Sequence, residues 1–165
     1  MKQRAFGKNT KGEAATLYTF KNSNGMVMEV TDFGATMYAL WIPTAAGKLD
    51  VVLGYDDPIG YEGPSGTFFG ATVGRNANRL KDACFVIDGK TWTLGVNDNS
   101  NNLHSGPDCF HLRMWKVLAH TDDSIKLELN SPHGDQGFPG NAVIRMTYAL
   151  ESDNGLHIRY DAVAD

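Results

Sequence analysis

The chain has 165 residues, a formal net charge of −4, 42% hydrophobic residues and 21% charged residues. A chain of this length can bury roughly 70% of the surface that its unfolded form exposes, so a real core is within reach. The ordinary balance of apolar and charged residues excludes long disorder or a collagen-like chain. Lys and Arg are scattered singly, without the basic stripe that nucleic-acid binding needs, which points to a neutral or weakly polar ligand. The two cysteines, Cys84 and Cys109, stand apart with no CxxC or Cys/His cluster, so they read as buried free thiols rather than a zinc site or disulfide framework. No apolar run follows the basic N-terminal residues and no stretch approaches a membrane span; the expectation is a cytoplasmic chain with no membrane partner.

Taken in chain order, the apolar period is two almost throughout. Met26, Met28 and Val30 share one face of a first predicted strand, and Met37, Ala39 and Trp41 share one after a turn at Asp32-Phe33-Gly34. A strand over Leu49–Leu53 follows the break at Gly47 and is closed by Asp56-Asp57-Pro58. Phe85 to Trp92 reads as a hairpin, because its Asp88-Gly89 loop suits the type I′ turn that matches strand twist, and this register sets Phe85 opposite Trp92. Further pairs run Trp115–Ala119 with Ile125–Leu129, and Val143–Leu150 with Leu156–Val163, turning at Ser152-Asp153-Asn154-Gly155. No long helical period, repeat or linker interrupts them. The expectation is one all-β, antiparallel β-sandwich domain over residues 1–165. Its final strand stops with no charge, proline or polar tail to blunt it, so the sequence reads as truncated, with an edge that calls for self-association or a missing C-terminal half.

Three polar clusters interrupt the strands. Gly74-Arg75-Asn76-Ala77-Asn78-Arg79 sets amides and guanidiniums at a strand end, which suits the paired donors and acceptors of a sugar rim; it equally fits a loop of turn caps and structural ion pairs. Asn97 to Gly106 contains one group that titrates near neutrality, His104, fit for proton transfer or for a hydrogen bond to a ring oxygen, and equally for a structural role. Ser131 to Gly140 reads as a loop shaped by Pro and Gly, with Asp135 and His133 as less favoured functional candidates. His111, His120 and His157 read as surface or packing residues. Nucleotide-binding glycine motifs, a GxSxG elbow and His pairs at metal-ligand spacing are all missing, so no cofactor and no metal is expected.

In this order, Gly74-Arg-Asn-Ala-Asn-Arg79, Asp88-Gly89-Lys90, Asn101-Asn-Leu-His-Ser-Gly106 and Ser131 to Gly140 closely resemble the aldose 1-epimerase family, with Asp32-Phe-Gly-Ala35 and Val52-Leu-Gly-Tyr55 in support. The resemblance covers almost the whole chain. It implies a galactose-mutarotase-like supersandwich that interconverts the α and β anomers of free aldohexoses, such as galactose and glucose, without a cofactor. It implies that Asn78 and Arg79 hold sugar hydroxyls and that His104 contacts the sugar near its anomeric end. It also implies that the second histidine, a sugar-binding aspartate and the glutamate base belong to a C-terminal half, so His104 would be an auxiliary catalyst in this chain. Two residues depart from the family pattern: His133 stands where Asp is common, and Cys109 where Gly is frequent. The alternatives are a non-catalytic carbohydrate-binding sandwich, a sugar-phosphate epimerase relative and a purely structural β-domain, the last of which would scatter Asn78, Arg79 and His104.

Overall fold

Alternating apolar side chains build two antiparallel sheets that face each other. The computed structural model describes residues 2–63 and 67–165. Strands β1 (Lys2–Lys8), β2 (Ala14–Lys21), β3 (Val27–Thr31), β4 (Thr36–Thr44) and β5 (Gly47–Asp50) form a five-stranded sheet in chain order. Two short pairs follow: β6 (Arg79–Leu80) with β9 (Asn102–Leu103), and β7 (Cys84–Ile87) with β8 (Lys90–Thr93). The second large sheet contains β10 (Lys116–His120), β11 (Ser124–Ser131), β12 (Ala142–Leu150) and β13 (Leu156–Ala164), again in chain order. Among the described residues no helix is long and apolar enough to cross a membrane.

Ile125, Leu127 and Leu129 of β11 and Ile144, Met146, Tyr148 and Leu150 of β12 point into the main core, against Phe20, Met28 and Val30 of the facing sheet. The residues between them face outward, where Arg145 pairs across the strands with Glu128 at 2.8 Å. This period-two division is what pairs the sheets face to face. A second core lies on the other face of the five-stranded sheet, where Phe6, Ala15, Leu17, Phe33 and Tyr61 are buried together. That sheet is therefore covered on both sides.

The double burial corrects the expected face of β4. Register slips between Glu29 and Val30, so that Ala39 and Met37 oppose them and Tyr38 is the extra residue. A bulge of this kind reverses the alternation. Met37, Leu40 and Ile42 consequently pack on the main core and Tyr38 on the second one, so Met37, Ala39 and Trp41 do not share a face. The strand expected over Leu49–Leu53 is also displaced: β5 ends at Asp50, whose carboxylate accepts from the Leu40 amide at 3.0 Å and the Val52 amide at 3.1 Å and turns the chain away. Asp57, expected to close that strand, caps a short helix α1 (Pro58–Glu62) by accepting from the Gly60 amide at 2.9 Å, with Pro58 in the first turn.

Asp88 and Gly89 both have positive φ, 52° and 75°, as a type I′ hairpin requires, and Phe85 pairs with Trp92. The hairpin packs away from the main core. Phe85 stacks on Phe138 at 5.4 Å, in a small cluster with Ala83 and Leu94. Cys109 is buried as expected, whereas Cys84 on β7 is half-buried; both thiols are free. Strand β13 is the outer strand of its sheet. Its core-side residues Ile158 and Tyr160 continue the face formed by Tyr148 and Met146 but remain 44% and 59% exposed.

Candidate functional site

Two strands of two residues each bring the sequence-predicted site residues together. Arg79 pairs with Leu103 and Leu80 with Asn102. Immediately beyond this ladder the His104 amide donates to the Asn78 carbonyl at 3.1 Å, and the Asn78 amide donates to His104 Nδ1 at 3.0 Å. Asn78, His104 and Ser105 all adopt positive φ, at 66°, 54° and 62°. Left-handed backbone costs a non-glycine residue of order 1–3 kcal/mol and persists only where its surroundings impose it. Here the buried Ser105 hydroxyl imposes it, accepting from the Asn76 amide at 2.7 Å and donating to the Asn76 carbonyl at 3.1 Å. Behind it, the buried Asn102 side chain donates to Gly95 and Gly106 carbonyls at 2.7 and 3.1 Å.

The hydrogen bond from Asn78 fixes the chemistry of His104. A backbone N–H can be accepted only by an unprotonated ring nitrogen, so Nδ1 carries no proton and the neutral ring holds its hydrogen on Nε2. Burial and, after it, the charge of Arg79 depress the pKa of His104 below the usual histidine value, so the neutral form prevails at pH 7. The ring centroids of His104 and Phe68 lie 4.4 Å apart and those of His111 and Phe68 5.0 Å apart, both in edge-to-face arrangements. Phe68 thus stands between two imidazoles. His111 is 7% exposed, its Nδ1 has no hydrogen-bond partner among the described residues, and burial followed by the nearby His104 drives its pKa to about 4. It is a packing residue, as expected.

Arg79 lies beside His104 with its side chain 56% exposed; its Nε donates to Asp98 Oδ2 at 2.5 Å. Arg75, from the same cluster, has a different task. Its guanidinium donates to Ser131 Oγ and to the carbonyls of Ser131, Pro132, Pro139 and Gly140, at 2.6–3.0 Å. That engagement clamps the loop over residues 131–140, and burial lowers the Arg75 pKa. Asp135 is likewise committed, through a two-pronged pair with Arg113 at 2.8 Å for each contact and a hydrogen bond from Ser131. His133 Nδ1 accepts from the Gly140 amide at 3.0 Å, so its side chain closes this loop. Cys109 has φ −60° and ψ 158°, which any residue adopts, so the position makes no demand for glycine.

Sequence reasoning missed Phe68 and Asp98. Phe68 carries no local signal, because its role depends on a tertiary approach between distant loops. Asp98 lies within the polar cluster that contains His104, and its acidic charge facing a basic cluster was the available signal.

The aldose 1-epimerase family model matches residues 16–165. Aldose 1-epimerase of Escherichia coli (strain K12) is 37% identical over 155 residues, covering 93% of this chain and 44% of that protein. Galactose mutarotase of Bos taurus is 34% identical over 155 residues, with 92% and 44% covered. Among solved structures, a GalM/aldose epimerase homologue from C. elegans superposes with a TM-score of 0.86 at 34% identity, covering 92% of this chain and 47% of that one. Galactose 1-epimerase from Lactobacillus acidophilus NCFM gives a TM-score of 0.80 at 25% identity, with 100% and 49% covered. The chain thus spans about half the length of the relatives it matches. With the match running through both large sheets and the Asn78–His104 corner, this chain belongs to the aldose 1-epimerase family.

Proposed function

We propose that this chain forms the N-terminal, sugar-binding part of an aldose 1-epimerase acting on free aldohexoses, with Asn78, Arg79 and His104 as its substrate-binding residues. The observation that carries the reading is the orientation of His104: Nδ1 is occupied by the Asn78 amide, which leaves Nε2–H as a donor next to the exposed Arg79. In mutarotation a base removes the proton of the C1 hydroxyl while the ring oxygen gains one, the C1–O5 bond opens to an aldehyde, C1 rotates, and closure on the other face returns both protons. A neutral imidazole donating to the ring oxygen would stabilise the charge that develops there as the bond opens. It would not serve as the base, because its second nitrogen already accepts a hydrogen bond. Arg79 and the Asn78 side chain would hold hydroxyls and set the ring against His104. The free thiols Cys84 and Cys109 fit the reducing cytoplasm in which we place the protein.

The separation of roles within His104 also supports the second reading, a carbohydrate-binding module without catalysis of its own. Polarimetry of freshly dissolved α-galactose, with the chain and with His104→Ala, tests both. Binding with little acceleration is expected, because positioned acid and base groups contribute about 10²–10⁴-fold each and His104 supplies at most one of them. A large enhancement abolished by His104→Ala would make His104 a principal catalyst. Absence of any galactose binding would remove the sugar-site reading altogether.

A further inference from the structure

We propose that Asp98 is a positioning residue that aims the Arg79 guanidinium and, by balancing its charge, sets the site to prefer uncharged sugars over anionic ones. The inference rests on the sugar-site reading above and deepens it by naming the class of ligand.

Asp98 is held on a turn whose every joint is tied. The Asp98 amide donates to the Asn101 carbonyl at 3.2 Å and the Asn101 amide returns to the Asp98 carbonyl at 2.9 Å. Asn97 grips the strand that leads to His104: its Oδ1 accepts from the Leu103 amide at 2.6 Å and its Nδ2 donates to the Leu103 carbonyl at 2.9 Å. Asn101 Oδ1 accepts from the Asp82 amide at 3.2 Å, anchoring the turn to the segment that follows Arg79. The carboxylate is therefore built into the same frame as His104 and is largely covered, with its side chain 22% exposed.

The contact is made at Nε, the inner nitrogen of the guanidinium. Binding there fixes the plane of the fork and leaves the Nη1 and Nη2 hydrogens of this exposed side chain without a hydrogen bond to the described residues. An arginine without a nearby acid recruits carboxylates and phosphates in preference to neutral groups. With Asp98 in contact, the pair carries no net charge. Hydroxyl oxygens on adjacent sugar carbons can still accept from the Nη hydrogens, while a uronate carboxylate or a sugar phosphate meets the field of Asp98 as well as that of Arg79.

Two readouts on the ¹⁵N-labelled chain test the inference. In the first, the Arg79 Nε–Hε signal is expected to be protected from exchange in the wild type, lost in Asp98→Ala and retained in Asp98→Glu, with amide shifts outside residues 78–82 and 97–104 unchanged. Equal exchange in wild type and Asp98→Ala would overturn the positioning role whatever the ligand. In the second, shift titrations with D-galactose and D-galacturonate are expected to show the wild type preferring galactose. Asp98→Asn should move the affinity ratio toward galacturonate by about three- to tenfold, the effect of one charge at close range in a wet site. An unchanged ratio, with galactose still bound, overturns the specificity role alone. Binding of neither sugar by the wild type overturns that role together with the sugar-site reading.

Discussion

Asn78 and His104 hold each other through two hydrogen bonds, one from the His104 amide to the Asn78 carbonyl at 3.1 Å and one from the Asn78 amide to His104 Nδ1 at 3.0 Å. The second bond would be lost on protonation of Nδ1, so the pair resists charging of the ring beyond the effects of burial and Arg79. ¹⁵N spectra of the imidazole are expected to show the Nε2–H tautomer and a titration midpoint below 6.5. A midpoint above that value would mean that the ring is not held in this way.

Replacing Arg75 should destabilise the fold without any contribution from sugar chemistry. Its guanidinium satisfies four carbonyls and one hydroxyl of the loop over residues 131–140, and truncation strands those acceptors. Arg75→Ala is expected to cost about 2–3 kcal/mol in urea unfolding. Arg75→Lys should recover only part of that loss, because a single ammonium cannot reach acceptors spread around a planar fork. An Arg75→Ala protein as stable as the wild type would show the clamp to be idle.

His111 should make the fold sensitive to mild acid. Its folded pKa of about 4 lies below the model-peptide value of 6.5, so between these limits the unfolded chain binds the extra proton and stability falls as pH falls. Above pH 6.5 both states are neutral and the group has no effect; below about 4 both are charged and no further loss accrues. The total loss is about 3 kcal/mol, and His104, facing the same Phe68 ring, adds to it in the same direction. His111→Phe should flatten the dependence between pH 6.5 and 4 in urea titrations. An unaltered slope in this variant would place the acid sensitivity elsewhere.

Strand β13 should drive self-association of the isolated chain. Ile158 and Tyr160 lie on its core side yet are 44% and 59% exposed, and Val163 on the opposite side is 62% exposed. Open strand edges with apolar flanks recruit further strands. Sedimentation is expected to show concentration-dependent oligomers that Tyr160→Lys reduces. A wild type that stays monomeric at every concentration would show this face to be inert.

Much of the sandwich was legible because β11, β12 and the Asp88-Gly89 hairpin each bury one kind of face, where a period of two has a single meaning. Strands β1 and β2 were not legible. In Lys2–Lys8 only Phe6 is buried, and β2 sends Ala15 and Leu17 to one core and Phe20 to the other, so neither shows a regular alternation. The site divides in the same manner. Asn78, Arg79 and His104 could be picked out from motif order, while Arg75 looked equivalent to Arg79 until the loop over residues 131–140 closed on it. No local pattern distinguishes a guanidinium aimed at carbonyls from one aimed at solvent.

The extra residue at Tyr38 decides where β4 can change length. Met37 opposes Val30 and Leu40 opposes Met28 on either side of it, so deleting Tyr38 would close the bulge into a regular ladder and leave Met37, Leu40 and Ile42 on the main core, while removing from the second core the ring that packs on Phe6. The slack in the ladder thus lets this strand shed one residue at that point without exchanging the two neighbourhoods it serves, a property of the spacing of the chain rather than of its chemistry.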